Sequence, residues 1–518
     1  MALITLTGGN DQAPPPAIAA GDTVLGLTGN DTITAPSNTE VNGNQGNDVL
    51  IGGGTGVTLF GGQGSDTLRS VSSSVLYGDK DNDSLFSVFA DTLYGNLGND
   101  TIVVAANSAA FGGQGNDLIE AVSSGAVGAT LAGDKGDDII KGAGTGGSKL
   151  YGDDVTITLT GEDGAGKDSI WAYGNDTAYG GGGNDSLVAF GGVKVMFGNQ
   201  DDDILRFADT VTSGTGVTLY GGQGNDTLLG KGGGALLSGD KGNDSLVASV
   251  GTGNIFDTLV GGAGADSLVG TDQAEVLIGG SDSIPGLDTT TGADLINAKS
   301  GDDTIFAGGG GSTVSGGEGN DSMIGGAGSD SFLGGNGTDV LVGGAGSDSL
   351  QGWTGNDTLT GGAGADYFIF VGGTFATSAF FTDAAGIPPI AVPTNPSQIV
   401  SGDRIGLDSI TDFETGVDKI VLDGQGTRFA SVGFTNVADA LFSSLNVTQA
   451  PGVALINATS NVQTIADQSS GLLVYNIADG SLWYNQNLTT TGSDQQAVQF
   501  LWLQPGLTNL SSTDFIIV

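Results

Sequence analysis

From residue 316 the chain repeats itself every nine residues, as GGEGNDSMI, GGAGSDSFL, GGNGTDVLV, GGAGSDSLQ, GWTGNDTLT and GGAGADYFI. Each unit opens on a Gly-Gly or Gly-Trp pair, carries Asp at its sixth place and a large apolar residue at its eighth. Glycine permits a turn that other residues would strain. The last three places read as a short strand whose eighth residue points inward while its neighbours point out. Two such units make one coil of a flattened solenoid, with a turn at each edge. The pattern GGxGxDxUx, U being large and apolar, recurs between residues 26 and 369, in places degenerate. Internal repetition of this kind decides a fold.

The charge fits a repeated scaffold better than a disordered tail. A net charge of −44 would ordinarily mean disorder, yet 38% of the residues are apolar and evenly spread. Of the 58 acidic residues 52 are Asp, the acid that turns favour. The carboxylates therefore read as ligands held close to the backbone. The chain has no Cys and no His, which excludes disulfides, thiolate metal sites, HExxH zinc centres and His-dependent triads. With so acidic a chain, no nucleic-acid partner is expected. No apolar run approaches the length of a membrane span. The start, MALITLTGGNDQAPPPAIAAGD, lacks the basic and apolar regions of a signal peptide, so export by another route is expected.

The repeat resembles the calcium-binding nonapeptide of RTX (hemolysin-type) proteins, which type I systems secrete. That resemblance implies an all-β fold, a parallel β-roll closed by a C-terminal β cap, with Ca²⁺ ions between turns eighteen residues apart on one edge. Carried onto the regular stretch, it makes Asp321, Asp330, Asp339, Asp348, Asp357 and Asp366 ligands, preceded by Asp303. Alternate members share an edge, so both edges should hold calcium there. Ca²⁺ takes six to eight hard oxygen ligands, and strand spacing brings stacked carboxylates and carbonyls together.

Upstream the motif returns every 17 or 18 residues, at Gly43, Gly61, Gly78, Gly95 and Gly112. The half-coils between, such as SVSSSVLY and SVFADTLY, are read as having no Asp turn, which would leave that edge bare. Every retained motif then falls on one edge. The predicted ligands are Asp48, Asp66, Asp83, Asp100, Asp117 and Asp138, then, past an irregular stretch, Asp185, Asp203, Asp226, Asp244 and Asp266; Asp168 is a weaker candidate. The same phase puts Leu76, Leu93, Leu131, Leu150, Met196 and Leu219 inside. It puts a column outside, Phe60, Tyr77, Tyr94, Phe111, Tyr151, Tyr179, Phe197 and Tyr220, broken by Ala132. Such a column is either a contact surface or a ladder that stiffens its own sheet.

Three motif matches carry no site. GEDGAGKD from Gly161 lacks the hydroxyl after its Lys that a phosphate loop requires, DKDND from Asp79 lacks the Gly and closing Glu of an EF-hand, and the N-x-S/T triplets follow from the repeat itself. The expected division is residues 1–25, an N-terminal strand and Pro-rich connector; 26–290, a roll with mainly one calcium edge; 291–369, a regular roll; and 370–518, a capping and secretion-signal region. In the last, SGDRIGLDSITDFETGVDKIVLDG resembles the cap of RTX rolls through Asp412 and Asp418. A hairpin is expected around Asp479 and Gly480, and SSTDFIIV looks like either a type I secretion signal or an ordinary last strand. The strand at residues 3–11 should pair either with its own first coil or with a neighbouring copy.

No separate module is left to hold an enzyme, and none is expected. The leading reading is a secreted structural protein that self-associates, with calcium, into a surface layer, filament or matrix. A calcium-dependent adhesin for a cell-surface polysaccharide is the alternative. The implied export partner is a type I secretion ABC transporter.

Overall fold

The structure, a computed structural model, describes residues 2–13, 18–122, 128–143, 147–154, 166–190, 193, 195–208, 216–231, 234–249, 257–280, 292–371 and 408–423, with short strands beyond, up to residue 517. The prolines of the expected connector, Pro14 to Pro16, and the turn at Asp479 and Gly480 lie outside the described residues. Two compact units result, Met1–Asp257 and Thr258–Val518. No α-helix occurs among the described residues.

Each unit is a parallel β-solenoid. In the first, Thr58–Gln63, Val75–Lys80, Thr92–Leu97 and Ala109–Gln114 stack in one sheet with Leu59, Leu76, Leu93 and Ala110 in register. Thr67–Arg69, Ser84–Phe86, Thr101–Val104 and Leu118–Ala121 stack in the other, aligning Leu68, Leu85, Ile102 and Ile119. Each partner lies 17 or so residues on, so one coil holds two strands and two turns. The eighth-place residues are fully buried in both sheets and form a one-residue-wide apolar core. The inward set read from the sequence, Leu76 to Leu219, is fully buried throughout. The second unit repeats the arrangement, at steps of 28 residues from Leu268 to Ile296 and from Leu277 to Ile305 and then at eighteen, with Met323 over Leu341 and Phe332 over Leu350.

The N-terminal segment is a coil of this roll. Leu3–Thr5 pairs in parallel with Thr23–Leu25, and Gln12–Ala13 with Thr32–Ala35. Of the two readings of residues 3–11, pairing with the chain's own first coil is the one realised. At the other end Lys419–Asp423 continues a sheet of the second unit and Phe515–Ile517 pairs beside it, while Leu473–Asn476 and Ser481–Asn485 form the expected antiparallel pair.

The outer face of the first sheet bears the aromatic column. Phe60, Tyr77, Tyr94 and Phe111 stack with centroids 4.8 to 5.1 Å apart and planes within 13°. Tyr151, Tyr179, Phe197 and Tyr220 form a second run at 4.9 to 5.1 Å. Ala132 stands in register between Phe111 and Tyr151 and parts the two runs. Strand spacing of about 4.8 Å sets this stacking. Each inner ring thus turns both faces to its neighbours.

Two neighbours on one strand separate the core from the ladder. Leu93→Ala removes a fully buried side chain and should cost about 2–5 kcal/mol. Tyr94→Ala removes two stacked pairs worth about 0.5–1.5 kcal/mol each. Urea unfolding in saturating calcium should rank Leu93→Ala as the more damaging.

Candidate calcium edges

The turn from Gly61 to Asp66 shows why the repeat reads as it does. It carries the chain from the first sheet to the second. Its fifth- and sixth-place residues tie neighbouring coils together in opposite directions. On the outside, Asn47 uses its side-chain oxygen to accept the N–H of Ser65, one coil further on, just as Asn30 accepts that of Asn47. On the inside, Asp66 reaches back, its Oδ1 accepting the N–H of Asp48 at 2.6 Å. Asp31 through Asp244 make one unbroken ladder of such bonds at 2.6 to 2.9 Å. All are almost fully buried.

The second carboxylate oxygen has a different fate. Oδ2 of Asp48, Asp66, Asp83, Asp100, Asp117, Asp138, Asp185, Asp203 and Asp226 is buried with no hydrogen-bond donor. Beside the first Gly of each turn this oxygen meets a carbonyl from the next coil. A methyl group on Gly61 would press on Oδ2 of Asp66 and stand 2.6 Å from the carbonyl oxygen of Gly78. A methyl on Gly78 would meet Asp83 and the Gly95 carbonyl in the same way. The cradle therefore collects hard oxygen acceptors without an N–H, the donor set a Ca²⁺ ion takes. Among the described residues no three acidic side chains converge on one point, so carbonyls must complete any site.

Burial decides the electrostatics of this row. It pushes the Asp66 carboxyl up to about 7 and that of Asp83 to about 8, with neighbouring carboxylates adding repulsion. Asp117 rises to about 7 and Asp303 to about 8 for the same reason. A cation between the coils would offset both, since a nearby opposite charge favours the ionised carboxylate.

All eighteen predicted acids fall on such edges. In the second unit Asp303, Asp321, Asp339 and Asp357 form one ladder. Asp330, Asp348 and Asp366 form another, reached from Asp266 through Asp294 and Ser312. Asp330 differs from its neighbours in that its Oδ2 also accepts the Gly326 N–H at 3.2 Å. Asp168, a weaker candidate by sequence, is a full member, linking Asp138 to Asp185 with its own donorless Oδ2. Asp31 belongs as well. Acids of the cap continue both ladders, Asp408 accepting the Asp357 N–H and Asp418 that of Asp366, while Asp412 accepts the N–H groups of Gly361 and Gly362.

The opposite edge of the first unit holds acids of another kind, which sequence reasoning missed. Asp91 also stands at a sixth place and accepts the Ser74 N–H through Oδ1. Its Oδ2, however, accepts from the hydroxyls of Ser70 at 2.6 Å and Ser87 at 2.9 Å and from the N–H groups of Val88 and Phe89. Asp22 and Asp176 likewise divide their oxygens between the previous coil and their own turn. These carboxylates are satisfied by protein donors. The signal was the Asp in SVFADTLY, four residues after a Ser.

The fold and this edge define a class, a parallel β-solenoid whose stacked turns gather oxygen ligands. Matches to the model of the RTX calcium-binding nonapeptide repeat fall at residues 19–35, 41–70, 89–106, 160–205, 208–283 and 288–368, more than half of the chain. The chain belongs to that family, and its repeats bind calcium ions. Members are generally exported as type I secretion substrates, and the roll itself is typically non-catalytic. No curated protein matches the chain. Among the described residues no helix is long and apolar enough to cross a membrane.

Two outcomes follow. In chelator the folded-state carboxyls stand at about 7 to 8, above their ordinary 3.8. Their contribution to stability is then full below the ordinary value and is lost as pH rises through the folded-state values. Circular dichroism in chelator should show more β-structure at mildly acidic than at mildly alkaline pH. A flat profile contradicts the buried-carboxylate picture. Second, Asp100→Ala should lower calcium stoichiometry in equilibrium dialysis, whereas Asp91→Ala should leave it unchanged and lower stability by about 1–3 kcal/mol through the hydroxyls and N–H groups left unpaired.

Proposed function

We propose that this chain works outside the cell as a calcium-dependent structural protein that assembles into a surface layer, filament or extracellular matrix. In the first unit Asp48, Asp66, Asp83, Asp100, Asp117, Asp138, Asp168, Asp185, Asp203, Asp226 and Asp244 hold the ions in one row. In the second, Asp303, Asp321, Asp339 and Asp357 form one row and Asp266, Asp330, Asp348 and Asp366 the other. The observation that carries this reading is the line of buried carboxylate oxygens with no donor. Without cations, like charges stack at strand spacing and the coils cannot offset that repulsion together with chain entropy. Extracellular calcium modules bind at roughly 10⁻⁴ to 10⁻³ M, so the chain stays unfolded during export and folds once outside. The Asn, Asp and aromatic ladders run along the same coils, which favours a stiff element over a mobile one.

The adhesin reading has a narrower support. Beside the aromatic column lie two open grooves, one of about 550 Å³ lined by Asn44, Gln63, Asp79, Lys80 and Asn96, the other of about 340 Å³ lined by Asn199, Gln223, Asp240 and Lys241. Amides with one acid and one base suit a neutral polysaccharide. Against it, the inner rings spend both faces on one another, where a sugar platform would offer a free face.

Electron microscopy of the purified chain decides between them. With calcium, ordered polymers that dissolve in chelator are expected. Monomers that are retained on neutral polysaccharide would favour adhesion instead.

A further inference from the structure

The edge of the first unit that faces away from the acid row has a surface unlike the rest. Its turns at Pro36–Asn38, Gly53–Gly56, Ser70–Ser74, Ser87–Ala90 and Val104–Ser108 contain no charged residue, in a chain of net charge −44. The acid within this edge, Asp91, is buried and taken up by its serines, and the exposed charges that flank the strip, Glu40 and Arg69, lie on the adjoining strands. Three of the large apolar residues exposed among the described ones lie in these turns, Val71 at 43%, Val88 at 57% and Phe89 at 48%.

The strip is also regular. Asn38, Gly56, Ser73, Ala90 and Asn107 all hold φ between 49° and 70°. Backbone bonds join the turns from coil to coil, Asn38 to Thr55, Gly56 to Ser73, Ser73 to Phe89 and Ala90 to Ala106, at 2.9 to 3.1 Å. Five stacked turns give a rigid border about 19 Å long at strand spacing. It is preformed, so little ordering entropy opposes a contact.

We infer that this uncharged edge is a contact between two copies of the chain, edge against edge, with Val71, Val88 and Phe89 at its centre. Charge selects the occupant. Two molecules this acidic repel over most approaches, and joining them at the neutral edges puts both acid rows on the outside, as far apart as the cross-section allows. A strip that repeats the same turn is also suited to a two-fold contact, in which each copy offers the same patch. Its area is below the roughly 800 Å² per partner of a stable dimer, so one contact is weak and gains strength when repeated along an assembly. The inference rests on the assembly reading and supplies its lateral contact.

Sedimentation velocity of the full chain in calcium, across a concentration series, tests it. The variants are V88D/F89D and V88S/F89S, with I204S as control, since Ile204 is 45% exposed on an outer sheet face. Circular dichroism and calcium stoichiometry verify that each variant is folded. Both edge variants should weaken self-association at least about tenfold, and I204S should not. Association that is equal in all three overturns the edge contact and leaves assembly standing. A wild-type chain that stays monomeric throughout overturns the contact and the assembly reading together.

Discussion

A carboxylate with one oxygen engaged and the other facing only acceptors is the interaction on which this molecule depends. Oδ1 of each sixth-place Asp receives an N–H from the coil before it, which fixes the side chain against its own turn. Oδ2 is then forced toward a neighbouring carbonyl. Asp keeps the charge close to the backbone that it bonds, in keeping with 52 Asp against 6 Glu, and Glu275 takes one such place before Asp303. A side chain at the first Gly would fill the cradle. The residue choices of the repeat thus follow from one requirement, that an oxygen-lined space stay open between coils for a hard cation.

Much of this was legible because the period is short and each place has one task. The inward Leu residues, the outward aromatic column and the division of the acids between edges all follow once the phase is set, and Leu76, Tyr77 and Asp83 lie where that phase puts them. What stayed hidden lies where the period fails. Asp168 follows the irregular stretch after Gly152, so counting by nine could not reach it; the backbone resumes the stack by its bond to Asp138. Asp91 was hidden for another reason. Its turn is shorter and lacks Gly, so the nonapeptide template does not see it, yet the sixth place still demands an acceptor for the N–H of Ser74.

That demand is common to both edges, and how each meets it sets their chemistry. On the calcium edge the turn leaves Oδ2 without a donor. On the other, a tighter turn directs the N–H groups of Val88 and Phe89 and two serine hydroxyls at the same oxygen. One edge leaves its second carboxylate oxygens without donors and the other supplies hydroxyls. In a solenoid each coil contacts mainly its neighbours, so stability is close to a sum of coil and interface terms. Each coil of the first unit between Val57 and Asp117 therefore has one end with an open carboxylate oxygen and one whose polar groups are met within the protein.

The two units differ in how they use this choice. The second unit places acids on both edges, Asp303 to Asp357 on one and Asp330 to Asp366 on the other. It leaves neither border free of buried acids. The first unit concentrates acids on one border and so frees the other for apolar side chains, which an acidic surface could not present to a second copy without bringing charge close to charge. The neutral strip is built without an open carboxylate, because the acid in its turns is taken up by serine hydroxyls and backbone N–H groups of the same edge.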